Sequence, residues 1–96
     1  MSIVRLIHIK IDPSETAKAI QVWKTECAPL MIQQKGCISE KLLRGTQAHE
    51  FISYSEWDSE AAIAAYTSGD AHKEIVRHAR ALKGSKAVVK LYELVK

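Results

Sequence analysis

Residues 51 to 79 read FISYSEWDSEAAIAAYTSGDAHKEIVRHA, and this stretch decides the fold. Its first part, Phe51 to Trp57, has the composition of a strand that ends on a tryptophan. Asp58-Ser59 then turns the chain, and either residue suits the N-cap of a helix carrying Ala62, Ile63 and Tyr66. Ser68-Gly69-Asp70 breaks that helix and caps another, on which His72, Ile75, Val76, Ala79 and Leu82 share a face. A strand followed by helices with apolar stripes means a sheet covered by helices. Trp57, Tyr66 and His72 then converge between the layers.

Working upstream, Ile3 to Ile11 read as a strand with Ile3, Ile7, Ile9 and Ile11 on one side and Val4, Leu6 and His8 on the other. Asp12-Pro13-Ser14-Glu15 opens a helix: Asp12 suits the N-cap, Pro13 the first helical position, and Glu15 the place from which a capping box reaches back. That helix is expected to run to about Lys35, with Ile20, Trp23, Cys27, Leu30 and Met31 on one face. Pro29 predicts a kink or break near Cys27, and Gly36 the left-handed stop. Cys37 to Arg44 pairs with Glu50 to Trp57 as a hairpin across Gly45-Thr46-Gln47-Ala48-His49. Downstream, Lys83-Gly84-Ser85 leads into a last strand, Lys86 to Val95.

The order β-α-β-β-α-β is the ferredoxin-like α+β arrangement: an antiparallel four-stranded sheet with helices on one face. Such a sheet should be polar on its uncovered face. The first and last strands are instead apolar on both sides, which predicts a homodimer that packs sheet face to sheet face.

The 96 residues are expected to form a single domain spanning 1–96. A net charge of +3, without a basic run interleaved with aromatics, argues against a nucleic-acid partner. MSIVRLIHIKID lacks a continuous apolar core and is not read as a signal peptide. No segment has the length of a membrane span, so no membrane partner is expected. Cys27 and Cys37 form no CxxC pair and are read as reduced thiols of a cytoplasmic protein.

For each of Trp57, Tyr66 and His72 taken alone, core packing is the simpler reading. Their convergence is what suggests a small-molecule pocket, with the polar edges of Tyr66 and His72 orienting a substrate or moving a proton. Trp23 is read first as core and second as a pocket wall. His8, mid-strand, is read as buried in either the pocket or the dimer interface, with the interface preferred. His78 and Glu74 have the spacing of a surface pair. They lack further ligands at suitable spacing, so no metal is expected.

The chain resembles the antibiotic biosynthesis monooxygenase superfamily of dimeric α/β barrels. The residues that carry the resemblance are Gly36-Cys37-Ile38-Ser39, Glu56-Trp57-Asp58-Ser59-Glu60-Ala61, and the helix pair with Tyr66, Ser68 and His72. The resemblance implies a ferredoxin-like subunit that dimerises through its sheet and holds a pocket between sheet and helices. It also implies, for some members, oxidation of small aromatic or quinol-type substrates by molecular oxygen without metal or flavin. At comparable positions stand His72 and Tyr66 as catalytic candidates, His72 being the preferred base or hydrogen-bond partner. Trp57, Trp23 and His8 are the substrate-binding candidates. Haem degradation, another activity in the superfamily, is disfavoured: Val76 stands where the haem-ligating histidine belongs, Tyr66 at a tryptophan position and Ile7 near an asparagine. The alternative is a non-catalytic homodimer of the same fold that binds a small metabolite.

Overall fold

The structure, a computed structural model, describes residues 2–47 and 49–95. Strand β1 (Ile3–Lys10) leads through a 3₁₀ turn (Pro13–Glu15) into helix α1 (Thr16–Val22), a π-helical turn (Trp23–Cys27) and helix α2 (Ala28–Ile32). Strands β2 (Cys37–Arg44) and β3 (Glu50–Trp57) come next, then helices α3 (Glu60–Thr67) and α4 (Asp70–Arg80), and strand β4 (Lys86–Glu93). The strands form one antiparallel sheet in the order β2-β3-β1-β4. This is the βαββαβ arrangement that the sequence predicts. Part of the β2–β3 connection, Ala48, lies outside the described residues.

The ends of the elements follow the expected capping chemistry, with one change of partner. The Asp12 carboxylate accepts the Ser14 amide at 3.0 Å, and Ser59, not Asp58, caps α3 by accepting the Ala62 amide at 3.1 Å. Glu15 does not reach back to Asp12. Its carboxylate accepts the Lys83 amide at 3.1 Å, while the Asp12 amide donates to the Lys83 carbonyl at 2.9 Å. The expected capping box is thus diverted into a stitch between the start of the helix layer and the turn before β4.

The helical run after Asp12 is interrupted where Pro29 predicts. Proline lacks the amide that an α-helix needs at that position. The chain responds with a wider turn, in which the Ala28 amide donates to the Trp23 carbonyl five residues back. Helix α2 ends at Ile32, earlier than the expected Lys35, and the chain turns to Gly36, whose φ of 87° is the left-handed conformation. A Cβ at Gly36 would lie 2.5 Å from the Ala62 Cβ and 2.7 Å from Asp58 Oδ1. The tight approach of this turn to α3 requires glycine.

Period-two alternation assigns the faces of the sheet. Ile3, Arg5, Ile7 and Ile9 of β1 face the helices with Phe51, Ser53, Ser55 and Trp57 of β3, and Val4, Leu6 and His8 lie on the open face with Ile52, Tyr54 and Glu56. In β2 a bulge between Cys37 and Ser39 changes the parity. Cys37 stands opposite Trp57, yet Glu40 and Leu42 stand opposite Ser55 and Ser53, so all three point to the helix side. Without the bulge, Glu40 would face away.

Two apolar clusters hold the layers together. Met31, Trp57, Ile63 and Tyr66 pack at one end, with Ile3, Cys37, Ala62, Ala71 and Ile75 against them. Ile11, Phe51 and Leu82 pack at the other. Between the clusters the sheet presents Ser53, whose small side chain borders a space left unfilled between sheet and helices.

Candidate functional site

A cavity of about 430 Å³ occupies this space. Its sheet wall carries Arg5, Ile7 and Ile9 from β1, Glu40 and Leu42 from β2, and Phe51 and Ser53 from β3. The helix wall carries Trp23 and Cys27 from the π-helical turn, Met31 from α2, Tyr66 from α3, and His72, Ile75, Val76 and Ala79 from α4. The lining is mostly hydrocarbon with a few convergent polar groups, as small-molecule sites are.

Of the residues singled out in the sequence, Tyr66 and His72 meet edge to face in the cavity wall, ring centroids 5.2 Å apart at 86°. Trp57 packs on Tyr66 at the same separation and 31°. The convergence expected from the sequence is therefore present, but Trp57 does not line the cavity. It is 0% exposed, sealed beneath Tyr66 by Met31 and Ile63, and its indole N–H donates to Ser55 Oγ at 2.9 Å. Ser55 in turn donates to the Arg5 carbonyl at 3.4 Å. Trp57 is thus a support for the wall.

Trp23 is a cavity wall, the second of its two sequence readings. The π-helical turn directs its indole N–H onto Glu40 Oε1 at 3.3 Å. His8 does not join the cavity. It lies between Ile52 and Val88 on the open face, because alternation along β1 sends it to the side opposite Ile7 and Ile9. His78 pairs with Glu74 at 3.2 Å and lies 3.8 Å from Glu26, outside the cavity lining.

Two residues dominate the electrostatics of the cavity that sequence reasoning missed. Arg5 is 6% exposed and lies with its guanidinium carbon 5.8 Å from the Tyr66 ring centroid. Glu40 accepts the Ser53 hydroxyl at 2.8 Å and the Trp23 indole on Oε1. Its Oε2 is buried with no hydrogen-bond partner among the described residues. Arg5 and Glu40 flank Ser55 across the sheet, one on each neighbouring strand. With strands about 4.8 Å apart, their backbones are roughly 10 Å apart, within reach of two long side chains over a small one.

Their titration reflects this setting. Burial pushes the Glu40 carboxyl up to about 7, against the Ser53 and Trp23 hydrogen bonds and the Arg5 charge, which favour ionisation. Burial lowers Arg5 from its ordinary value, opposed by Tyr66 and Glu40. Burial raises the Tyr66 phenol to about 12, so it is a hydrogen-bond donor at neutral pH. His72 is lowered, first by burial and then by Arg5, and is neutral there. Cys27 and Cys37 are free thiols, each pushed up to about 11, chiefly by burial, which makes them poor nucleophiles.

A signal for the missed pair was present in part. Arg5 is the charged member of an otherwise isoleucine set on the helix side of β1, and Ser53 and Ser55 are polar at inward positions of β3. Glu40 gave no such signal, since simple alternation from Cys37 points it outward.

Fold and cavity together define a class: a ferredoxin-like α+β subunit with a small-molecule cavity between its sheet and helices. Within that class the family is set by the sequence match. The family model described as antibiotic biosynthesis monooxygenase matches residues 2–78, and the chain belongs to this family. A comparison with curated proteins gives no match.

Solved structures share the fold. SnoaB, a cofactor-independent oxygenase from Streptomyces nogalater, is 15% identical with a TM-score of 0.79, the match covering 99% of this chain and 94% of SnoaB. A Caulobacter crescentus protein, described provisionally as an antibiotic biosynthesis monooxygenase, is 18% identical with a TM-score of 0.85, over 99% of this chain and 91% of that one. The Mycobacterium tuberculosis protein Rv0793 is 11% identical with a TM-score of 0.82, over 100% of this chain and 97% of its own. At these identities the likeness is one of fold.

Proposed function

We propose that this protein is a monooxygenase that acts, without a metal or organic cofactor, on a small aromatic or quinol-type substrate held in the cavity. The observation that carries the reading is an apolar cavity with Tyr66, His72, Arg5 and Glu40 in its wall, the His72 ring lying 5.2 Å and the Arg5 guanidinium carbon 5.8 Å from the Tyr66 ring centroid. SnoaB, of the same fold, is a cofactor-independent oxygenase. At a ring methylene, which an anthrone carries and a quinol acquires in its keto tautomer, the carbon loses both hydrogens; one atom of dioxygen becomes the new carbonyl and the other leaves as water. No external reductant is needed. Deprotonation of the substrate prepares it for dioxygen, and the protein's part is to bind, orient and shed water from the reacting ring.

In this arrangement Tyr66 donates a hydrogen bond to the substrate oxygen and neutral His72 supplies a second polar contact. Trp23 forms the flat wall against the ring. Trp57 holds Tyr66 in place from behind.

The functional unit is a homodimer formed through the open face of the sheet. Val88 and Tyr92 of β4 are 57% and 48% exposed there, and Leu43 of β2 is exposed at the opposite edge, with half-buried Leu6, Ile52 and Tyr54 of the two central strands between. An apolar sheet face of this extent is what a second copy covers. His8 belongs to that face. Of the described residues, no helix is long and apolar enough to cross a membrane.

Oxygen-electrode assays with a panel of anthrones and quinols test the proposal. Turnover is expected in the wild type, reduced by about tenfold or more in Tyr66→Phe and His72→Ala. Absence of turnover across the panel, or rates unaffected by both substitutions, would sink it.

A further inference from the structure

Glu40 is the one carboxylate among the described residues that line the cavity. Its two oxygens are treated differently. Oε1 is held by the Ser53 hydroxyl and the Trp23 indole, which fixes the plane of the group. Oε2 is buried and has no partner among the described residues. A buried carboxylate oxygen without a donor is costly, and a ligand that brings a hydroxyl relieves that cost. Three local devices produce the arrangement: the β2 bulge that turns Glu40 inward, the π-helical turn that aims Trp23 at it, and the small Ser55 between it and Arg5.

We propose that Glu40 accepts the hydroxyl proton of the substrate on Oε2, and that the Glu40–Arg5 pair thereby selects ligands with an ionisable phenolic or enolic hydroxyl on an apolar ring system. The inference rests on the monooxygenase reading only for the reaction with dioxygen after the proton transfer. In the transfer itself the substrate O–H bond breaks, its electron pair stays on the substrate oxygen, and an O–H bond forms to Oε2. The negative charge moves from the carboxylate to the new oxyanion within the field of Arg5, so the cavity's net charge is unchanged. A low-dielectric site favours transfers that create no new net charge.

The groups facing the Glu40 carboxyl are Arg5 from β1, Cys27 from the π-helical turn, Cys37 from β2 and Tyr66 from α3, and His72 from α4 lines the same cavity. The thiols and the phenol titrate well above neutrality and His72 below its ordinary value, which leaves Glu40 to change charge near neutral pH. Its side chain lines the cavity, and a substrate hydroxyl is the partner that its buried Oε2 lacks. Ser53 and Trp23 are positioning residues for it.

Calorimetric binding of 1-naphthol and of its methyl ether, to the wild type and to Glu40→Gln and Glu40→Ala, tests the inference apart from catalysis. The wild type should bind the naphthol about tenfold or more tightly than the ether, as a charge-assisted hydrogen bond requires. Both variants should bind the two ligands within a few-fold of each other. The same selectivity in either folded variant as in the wild type would overturn the proposal. A second arm reads turnover against pH. The wild-type rate should fall below about pH 7 as Glu40 protonates, and Glu40→Gln should lose both that limb and about a hundredfold or more in rate. Retention of the limb and rate in Glu40→Gln also overturns it. If no substrate in the panel is turned over while selectivity for the hydroxyl vanishes with Glu40, the monooxygenase reading fails and hydroxyl recognition by Glu40 stands.

Discussion

Glu40 costs the fold stability at the pH where it is ionised, and replacing it with glutamine exposes that cost. Its carboxyl is raised from the ordinary 4.5 to about 7 in the folded chain, chiefly by burial. Between those values the folded state therefore binds more protons than the unfolded one, and stability falls as pH rises. The contribution is fully present below 4.5 and is lost once pH passes about 7. A difference of about 2.5 pH units, at about 1.36 kcal/mol each, sets a ceiling of about 3 kcal/mol.

Glu40→Gln has no such dependence, although it leaves Arg5 without its carboxylate, which adds an offset that does not vary with pH. The measurable quantity is thus the wild-type/variant difference in unfolding free energy from urea titrations at about pH 5 and about pH 8. Protein concentration is held fixed, because the apparent stability of the proposed dimer would depend on it. We expect the difference to move in the variant's favour by up to about 3 kcal/mol between the two conditions. A melting-temperature scan should show a relative gain of about 4–8 °C for each kcal/mol in a chain this small. A difference that stays within about 0.5 kcal/mol across the range would refute the burial argument for Glu40.

Other expectations come from the packing. Gly36→Ala should destabilise by about 2 kcal/mol or more in urea unfolding, since φ is 87° and the added carbon meets Ala62 and Asp58. Gly69→Ala, where φ is ordinary and the nearest atom is 3.4 Å away, should cost less than about 1 kcal/mol. Trp57→Phe should lose about 2–4 kcal/mol, because the fully buried ring supports Tyr66 and its N–H bonds Ser55; a change below about 0.5 kcal/mol would contradict that account. Val88→Glu on the open sheet face should shift the sedimentation of micromolar protein from dimer to monomer, and an unchanged dimer would place the interface elsewhere.

The order of elements, the Asp12 and Gly36 termini, the break around Pro29 and the helix pair after Trp57 were legible in the sequence. Each is set by interactions within a turn or two of the chain: a side chain on a nearby amide, a missing proline N–H, a left-handed glycine. The meeting of Tyr66 with His72 was legible too, because helical periodicity assigns both to inward faces. What could not be read locally was how the strands register. Glu40 enters the cavity through a bulge against β3, and Glu15 leaves its capping box because the Lys83 backbone, far along the chain, offers the partner. Trp57 looked like a cavity wall and became a buttress once Met31 and Ile63 closed over it.

Local chemistry thus determined which helices and strands form and which residues face inward in each. Tertiary structure decided which inward residues meet, and so set Arg5 and Glu40 on either side of Ser55 and left one carboxylate oxygen buried without a hydrogen-bond partner among the described residues. The physical reason is that a strand's side-chain parity is a local property, while its alignment with a neighbour is settled only when bulges and buried charges are accommodated by the whole sheet.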